Sequence, residues 1–479
     1  MKVLFAASEA LPFKSSGGLA EVAGSLPKAL RRRLVGARVV MPLYDSIAGE
    51  LQDQMTFLTH LVVPVAWRRQ YCGVFEARSG GVIYYLLDNQ YYFKRGRQIY
   101  GYYDDAERFA FFSRAVLEFL PHLEGWRPDV IHCNDWQTAL VPVFQTVFYA
   151  KLAFYQGIRT VFTIHNIEYQ GRYGMDILTD VFGLDVRHRS LVEHDGDINL
   201  MKGGIECADA VTTVSPTYAK EILTPWYSHG LDTILERRRH KVSGILNGID
   251  TEGYDPACDP AIAASYSAEN PGGKKENKAA LQALFGLAQT PGAPLFGIVS
   301  RLVAHKGLDL LCAKLEEMLQ SSDAQLVVLG TGEERYERFF SALAARFPGR
   351  AGVRLDFIPT VARQIYAGSD LLLMPSKSEP CGLSQMIALR YGAIPIVRET
   401  GGLKDSVQDS GAGAGNGFTF ADYNAEALLH AMRRAMQGYR DAEGWALLVR
   451  RAMECDFSWS RSANDYIRLY KALTGGGQK

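Results

Sequence analysis

Two cations and a carboxylate follow apolar runs in the second half of the chain. Arg301 and Lys306 come after the run 295–300, and Glu379 follows the run 370–375. Guanidinium and ammonium groups can neutralise a diphosphate, and a carboxylate can bind sugar hydroxyls or stabilise a cationic centre. A solvated loop for the cations and a helix N-terminal acid for Glu379 are the ordinary alternatives. For the two cations we place the binding interpretation first, because ligands bind at the carboxyl ends of parallel strands.

Paired glycines mark two predicted strand-to-helix turns. Gly17 and Gly18 follow the first apolar run, and Gly401 and Gly402 repeat the arrangement after the run 393–397. Without side chains at such a turn, backbone amides can approach a phosphate at a helix N-terminus. For the first pair, a tight turn without a ligand is an equal alternative. Its spacing is not G-x-G-x-x-G, so dinucleotide binding is not indicated.

Polar residues also close two apolar runs of the first half. Asp135 follows the run 129–133, and His165 ends the run 159–165. Buried histidine and aspartate at strand ends are often structural caps. Contacts to a polar substrate are the other interpretation, which the sequence leaves open.

Composition narrows the class of protein. The 479 residues carry 52 Lys plus Arg and 52 Asp plus Glu, so the net charge is zero and a nucleic-acid partner is not expected. No apolar run approaches about 18 residues, so no membrane span is expected. Glu9 and a turn interrupt the N-terminus before a signal peptide could form, and the 7 scattered cysteines lack C-x-x-C. We therefore expect a cytoplasmic protein without a metal site.

Short apolar runs alternate with helical patterns throughout, which is the rhythm of a doubly wound α/β sheet. Strands are predicted at 3–7, 37–41, 82–87, 129–133, 159–165, 210–215, 295–300, 325–330, 353–358, 370–375 and 393–397, and helices at 20–34, 107–120 and 307–319. A stretch without strand pattern from 253 to 278 separates two sets. We predict two facing Rossmann-like domains, 1–245 and 246–457, with a deep cleft between them. The end at 475–479 is expected to be frayed.

Taken together, the segments resemble those of the bacterial glycogen synthases, with plant starch synthases as near relatives. The resemblance spans nearly the whole chain in order. The segments that carry it are 8–9 with 17–19, 132–136, TIHNIEYQG at 163–171, VSPTY at 214–218, LNGID at 246–250, 299–309, 375–383, 400–403 and DFSW at 456–459.

That resemblance implies two facing Rossmann-like domains, with a last helix at 458–475 returning to the first. It implies a retaining transfer of glucose from ADP-glucose to the non-reducing 4-hydroxyl of an α-1,4-glucan, either glycogen or a maltooligosaccharide. No cofactor or metal is implied. Nucleotide-sugar epimerases share the scaffold, and a non-catalytic glucan-binding protein is a further alternative. Glucan phosphorylases also share it, but they need a pyridoxal phosphate lysine and a longer chain.

The resemblance also assigns roles to residues. Arg301 and Lys306 would neutralise the leaving diphosphate, Glu379 would hold the donor sugar, and Asp135 and His165 would line the sugar side. Further donor contacts would come from Ser15, Ser16, Gly17, Gly18, Asn247, Phe357, Cys381, Gly382, Leu383, Thr400, Gly401 and Gly402, with Phe357 against the adenine and Asn247 at the hinge side.

The chain departs from its relatives at two positions. Related retaining transferases often carry a second glutamate eight residues after the first, where this chain has Ile387. The sequence thus offers no obvious second carboxylate for a double displacement. The resemblance implies instead a front-face substitution, in which the departing phosphate deprotonates the acceptor. Relatives also carry at position 15 a lysine that reaches the donor phosphate, but here Lys14 precedes Ser15. Either the loop shifts so that Lys14 reaches the phosphate, or Arg301 and Lys306 supply the charge alone.

Overall fold

The computed structural model describes residues 1–475, and the chain divides into two compact units. Unit 1 comprises Met1–Gly248 together with the segment from Trp459 onward, and unit 2 comprises Ile249–Ser458. The sequence places a boundary near 246, and the division in the structure follows Gly248. Residues 476–479 of the end that was expected to be frayed lie outside the described residues.

Unit 1 is built on a sheet whose central strands are parallel. Its strands are β1 (Lys2–Ala6), β2 (Gly36–Pro42), β3 (Thr56–Val65), β4 (Arg68–Ser79), β5 (Val82–Asp88), β6 (Val130–Asn134), β7 (Arg159–Ile164), β8 (Arg172–Tyr173), β9 (Glu193–His194), β10 (Asp197–Asn199), β11 (Ala210–Thr213) and β12 (Val242–Gly244). The main sheet has the order β12-β11-β7-β6-β1-β2-β5-β4-β3, and β8-β10-β9 form a small separate sheet. The central strands are continuously apolar because helices cover both faces of the sheet.

Unit 2 contains a second parallel sheet of order β15-β14-β13-β16-β17-β18. Its strands are β13 (Leu295–Val299), β14 (Gln325–Leu329), β15 (Ala351–Arg354), β16 (Leu371–Met374), β17 (Ile394–Arg398) and β18 (Phe418–Phe420). Leu295, Val327 and Leu329 of this sheet pack with Leu281 and Ile365 from two helices into a buried core. Because every registered pair in this sheet is parallel, the carboxyl ends of its strands lie along one edge.

Helices connect most of the strands. In unit 1 they are α1 (Gly18–Arg32), α2 (Gly49–Gln52), α3 (Gln90–Phe93), α4 (Asp105–Glu118), α5 (Leu140–Phe144), α6 (Ile177–Asp180), α7 (Arg189–Val192), α8 (Leu200–Cys207), α9 (Pro216–Glu221) and α10 (Asp232–Arg237). In unit 2 they are α11 (Gly273–Leu284), α12 (Leu308–Gln320), α13 (Glu334–Arg346), α14 (Pro359–Gly368), α15 (Ser384–Arg390), α16 (Gly401–Ser406), α17 (Ala425–Tyr439) and α18 (Ala442–Met453). None of the helices within residues 1–475 has the length and apolarity needed to cross a membrane.

The last helix, α19 (Trp459–Leu473), belongs to unit 1 and packs against α1. The Tyr470 hydroxyl lies 2.7 Å from Nδ1 of the buried His132 on β6. The Ser462 hydroxyl donates to the Leu246 carbonyl at 2.6 Å. The end of the chain therefore completes unit 1 through specific hydrogen bonds as well as apolar packing.

The prediction of two Rossmann-like α/β units is confirmed, with one strand corrected in its extent and several strands not predicted, among them the edge strands β12 and β18. The strand predicted at 353–358 is wrong in its extent, because β15 ends at Arg354, where its partner β14 also ends. The antiparallel hairpin of β3 and β4 was not predicted. It lies at the sheet edge, where polar residues such as Thr59 and His60 interrupt the apolar pattern of β3.

Candidate active site

Three neighbouring strands of unit 1 end in ionisable or polar groups. β7, β6 and β1 are adjacent and parallel, so their carboxyl ends meet at one edge. Glu9 follows β1, Asp135 follows β6, and His165 follows β7. The sheet thus brings together the two residues of the first half that the sequence analysis singled out, with Glu9 beside them.

Asp135 is held in an unusual conformation with its carboxyl against the next strand end. Its φ of 57° lies in the left-handed region, and its amide donates to the Thr163 carbonyl at 2.9 Å. Oδ1 accepts the His165 amide at 2.8 Å. Burial raises the pKa of Asp135 to about 7, against the lowering effect of the amides of His165 and Asn166, and the nearby Glu9 adds to the rise. This carboxyl therefore changes charge near neutral pH.

His165 is a neutral imidazole of defined tautomer. Its Nε2 lies 2.9 Å from Oδ1 of Asn134, whose amide nitrogen donates to the carbonyls of Ala6 and His132. Because Oδ1 can only accept, Nε2 of His165 carries the hydrogen and Nδ1 is an acceptor. Burial lowers the pKa of His165 to about 3. The ring can thus accept a hydrogen bond from a hydroxyl group.

The glycine loop, residues 15–18, is folded around a buried carboxylate. The Ser16 amide donates to Oε2 of Glu9, and the Gly17 amide also hydrogen-bonds to this side chain. Burial raises the pKa of Glu9, although the contacts with Ser16, Tyr100 and Gly17 lower it. The resemblance implies that Gly17 and Gly18 contact the donor, but the Gly17 amide is already hydrogen-bonded to Glu9. Gly18 begins α1, and its amide lies at the helix N-terminus.

A cavity of about 330 Å³ lies beside Trp136, the residue that follows Asp135. It is lined by Trp136, Glu168, Tyr169, Gln170, Gly171 and Arg172. At Gly171, whose φ is 66°, a side-chain carbon would lie 2.6 Å from the Trp136 indole. Glycine here permits the close packing of the segment against Trp136. Aromatic and polar groups together suit a sugar, although the sequence analysis gave Trp136 no separate role.

Unit 2 contains an ion pair between two of the predicted residues, the partly buried Lys306 and the buried Glu379. Lys306 Nζ donates to Oε1 and Oε2 of Glu379 at 2.9 and 2.7 Å, and the Ser376 hydroxyl donates to Oε2 at 2.9 Å. The Glu379 residue is only 6% exposed. Burial would raise its pKa, but the Lys306 charge and the hydrogen bonds from Lys306 and Ser376 outweigh burial, so the pKa is lowered. The carboxylate is therefore ionised at neutral pH.

Backbone contacts fix the two loops that carry this pair. The Lys377 amide donates to the His305 carbonyl at 2.9 Å. Gly307 has a φ of 72°, and a side-chain carbon there would lie 2.0 Å from the Pro375 carbonyl oxygen. The turn after Lys306 therefore requires glycine, both for its conformation and for the approach of the neighbouring strand end.

The second glycine pair, Gly401 and Gly402, likewise permits a close approach between backbone segments, here against the loop that carries Glu379. A side-chain carbon at Gly401 would lie 2.0 Å from the Glu379 carbonyl oxygen, and one at Gly402 would lie 2.1 Å from that of Cys381. The Gly402 amide donates to the carbonyls of Glu379 and Pro380 at 3.2 Å. The pair thus supports the carboxylate loop, and the Gly402 amide is already engaged by it.

Two further residues support the same loop, and the sequence analysis missed both. The buried Arg398 at the end of β17 donates from Nε to the Ser376 carbonyl at 2.9 Å and from Nη2 to the Lys377 carbonyl at 2.5 Å. Gln385 donates to the carbonyls of Cys381 and Gly382 at 3.0 and 2.9 Å. Only a strand-end position for Arg398 could have indicated its role.

The remaining predicted donor residues are placed individually. Arg301 lies exposed two residues after β13, and Phe357, which follows β15, is 79% exposed. Asn247 is buried in unit 1. Leu383 precedes α15, and Thr400 is buried at the start of α16. In the described part of the chain, no group of three or more His, Cys, Asp or Glu could hold a metal ion.

Comparison with known proteins decides the family. Residues 2–237 match the family model of the starch synthase catalytic domain, and residues 285–446 match that of glycosyl transferases group 1. The glycogen synthase of Geobacillus thermodenitrificans is 53% identical over 477 residues, which cover 99% of this chain and 98% of that protein. The chain belongs to the glycogen synthase family. Another glycogen synthase, from Desulforamulus reducens, is 48% identical over the full length of both chains.

Solved structures agree with membership of the glycogen synthase family. The catalytic domain of starch synthase IV from Arabidopsis thaliana, bound to ADP and acarbose, matches with a TM-score of 0.90 and 36% identity over 99% of both chains. Sucrose-phosphate synthase from Thermosynechococcus elongatus has the same fold, with a TM-score of 0.61 at 17% identity. The protein is thus a glycosyltransferase with two Rossmann-like units, and its resemblance to glycogen synthases is confirmed.

Proposed function

We propose that the protein transfers glucose from ADP-glucose to the non-reducing 4-hydroxyl of an α-1,4-glucan, with retention at the anomeric carbon. The observation that carries the proposal is the Lys306–Glu379 ion pair at the edge formed by β13 and β16. It combines a cation for a leaving diphosphate with an ionised carboxylate for a sugar. Two findings support the choice of substrates. A glycogen synthase is 53% identical to this chain, and the structural neighbour starch synthase IV was solved with bound ADP.

Lys306 can serve Glu379 and the diphosphate at once. An ammonium group has three N–H donors, and Lys306 uses two of them for the two carboxylate oxygens of Glu379. The third hydrogen is available to a phosphate oxygen. Arg301, exposed after the same strand, supplies a planar guanidinium for bidentate contact. Together the two cations stabilise the charge that develops on ADP as the C1–O bond breaks.

The chemical step follows from these charges. The electron pair of the C1–O bond leaves with the β-phosphate, and positive charge develops on the sugar ring. The ionised Glu379 carboxylate stabilises that charge. The acceptor 4-hydroxyl attacks C1 from the face that ADP leaves and gives its proton to the departing phosphate. No second carboxylate is needed, in keeping with Ile387, which is buried in α15.

Unit 1 is proposed to bind sugar hydroxyls. Nδ1 of His165 would accept a hydroxyl hydrogen, and Asp135 would accept or donate according to its charge. The cavity beside Trp136 is a candidate for a glucan residue. The remaining proposed donor contacts are Ser15, Ser16, Gly17, Gly18, Asn247, Phe357, Cys381, Gly382, Leu383, Thr400, Gly401 and Gly402. Because the amides of Gly17 and Gly402 are engaged within the protein, these two glycines would act through loop shape.

We also propose a cytoplasmic location. None of the 7 cysteines, all of which lie within the described residues, forms a disulfide, as is usual in a reducing compartment. Fractionation of cells that carry a tagged chain tests this: recovery with cytoplasmic markers is expected, and recovery with an exported fraction would contradict it.

A radiolabel assay tests the proposed reaction. Purified protein is incubated with glycogen and either ADP-[¹⁴C]glucose or UDP-[¹⁴C]glucose, with and without EDTA. Label is expected to enter glycogen from ADP-glucose in preference to UDP-glucose, at a rate that EDTA leaves unchanged. Absence of label from both donors, or a loss with EDTA that Mg²⁺ restores, would overturn the proposal. Glu379→Gln protein serves as the inactive control.

A further inference from the structure

We propose that Lys14 is a positioning residue: its ammonium ties the glycine loop to the neighbouring loop 94–102 and does not bind the donor phosphate. Lys14 Nζ donates to the Arg97 carbonyl at 3.1 Å. This contact joins two segments that are 83 positions apart. The inference rests on the proposed function only for its effect on turnover, since the contact itself is independent of the reaction.

The backbone around Lys14 is fixed before the glycine loop begins. The Lys14 amide donates to the Ala10 carbonyl at 3.0 Å, and the Leu11 amide donates to the Ala20 carbonyl at 3.0 Å. The Phe13 ring is buried against Tyr84, with ring centres 4.9 Å apart. Residues 10–14 therefore form a turn anchored on α1 and β5.

Glu9 fixes the other side of the exposed Ser15. It receives the amides of Ser16 and Gly17, so the loop is held directly after Ser15 as well as before it. Moving Lys14 into the place of Ser15 would require the chain to slide by one residue. Such a slide would move Phe13 away from Tyr84 and the Ser16 amide away from Glu9. The structure favours a lysine that stays where it is.

The loop 94–102 is fastened at several points, and Lys14 adds one at its middle. The Gly96 amide donates to Oδ2 of Asp45 at 2.8 Å, and the Tyr102 hydroxyl donates to the Arg95 carbonyl at 2.7 Å. At the far end, the Tyr100 hydroxyl lies 2.7 Å from that of Ser8. Ser8 directly precedes Glu9.

These contacts close a ring around the edge of unit 1. Glu9 holds the glycine loop, Lys14 joins that loop to Arg97, and Tyr100 returns to the residue before Glu9. Loss of the ammonium opens the ring at Arg97 without removing any group of the ion pair in unit 2. The expected consequence is a looser loop, and a lower turnover through misplacement of Tyr100 and Glu9.

Limited trypsin digestion measures the loop directly, because Lys94, Arg95 and Arg97 are cleavage sites within it. In Lys14→Met, cleavage after Arg97 should be about fivefold faster, as the loss of one hydrogen bond allows. Lys14→Arg can still donate to the carbonyl and should digest as the unchanged protein does. Lys151→Met, at an exposed lysine of the same unit, is the matched control.

Binding and kinetics separate positioning from phosphate contact. For Lys14→Met we expect an unchanged dissociation constant for ADP by calorimetry, an unchanged KM for ADP-glucose and a lower kcat, with kcat restored in Lys14→Arg. Unchanged digestion, an unchanged kcat, or a loss of ADP affinity of about tenfold or more would each overturn the proposal. If the unchanged protein transferred no glucose, the proposed function would fail, while digestion and ADP binding would still decide the role of Lys14.

Discussion

Lys306 and Glu379 are held to each other by two hydrogen bonds, 2.9 and 2.7 Å long, in a site where the carboxylate is almost completely buried. Arg301, the other predicted phosphate ligand, is exposed. Among the described residues it forms no ion pair. The sequence predicts the same role for both cations, but their surroundings in the structure differ, because only Lys306 also neutralises a buried charge.

Replacing the two cations should separate stability from catalysis. Lys306→Met leaves a buried carboxylate without its cation, so we expect a loss of about 3 kcal/mol and a melting temperature lower by roughly 6–12 °C. The double variant Lys306→Met/Glu379→Gln should regain most of this loss. Arg301→Met should melt within about 0.5 kcal/mol of the unchanged protein, yet transfer glucose much more slowly. Equal melting of both single variants would contradict this difference.

Glu379→Gln should keep the shape of the site and remove its charge. Because the carboxylate faces developing positive charge, we expect turnover to fall by about 100-fold or more. Glu334→Gln, an exposed acid at the start of α13, is the matched control and should retain full activity. If Glu379 had only a structural role, its replacement would lower the melting temperature and leave turnover intact. Single-turnover rates and thermal melts on the same samples distinguish the two.

Asp135→Asn should change the pH dependence of stability. The folded pKa of about 7 lies above the ordinary 3.8, so the folded chain binds this proton more tightly than the unfolded chain. Its contribution to stability is complete below about pH 4 and is lost as the pH rises through 7. Since asparagine stays neutral, the melting temperature of the variant relative to the unchanged protein should rise between pH 4 and 8. A difference that is constant across this range would contradict the raised pKa.

Gly402→Ala should damage the loop that carries Glu379. A methyl group there would lie 2.1 Å from the Cys381 carbonyl oxygen, so the backbone must move. Gly292→Ala is a matched control, because a methyl group at that position meets nothing within 4 Å. We expect Gly402→Ala to lose both thermal stability and transfer activity, and Gly292→Ala to lose neither. Normal activity in Gly402→Ala would show that the close approach is not required.

The sequence predicts the central strands well, since strands buried on both faces read as continuous apolar runs. β1 and β13 are of this kind. The hairpin of β3 and β4 was missed because its exposed face interrupts such a run. β15 was predicted too long because the position of its end depends on where β14 stops, which no local pattern records.

For the candidate site, the strand-end rule found Lys306 and Glu379 but not their pairing. Chemistry-bearing residue types after apolar runs were visible in the sequence. The hydrogen bond from the Ser16 amide to Glu9 joins residues 7 positions apart, and the bond from Arg398 to the Ser376 carbonyl joins residues 22 positions apart. Such contacts follow from tertiary structure, so residue type and spacing alone could not assign them.

The most direct test of the proposed reaction is to follow the first bond formed, by NMR, with ADP-[1-¹³C]glucose and maltotetraose. The site predicts one equivalent of ADP for each new linkage, and a labelled anomeric signal of an α-1,4-linked residue at the non-reducing end. That signal should be absent with Glu379→Gln protein. A β-linked product, a product at another hydroxyl, or free labelled glucose in place of maltopentaose would contradict retaining transfer to the 4-hydroxyl.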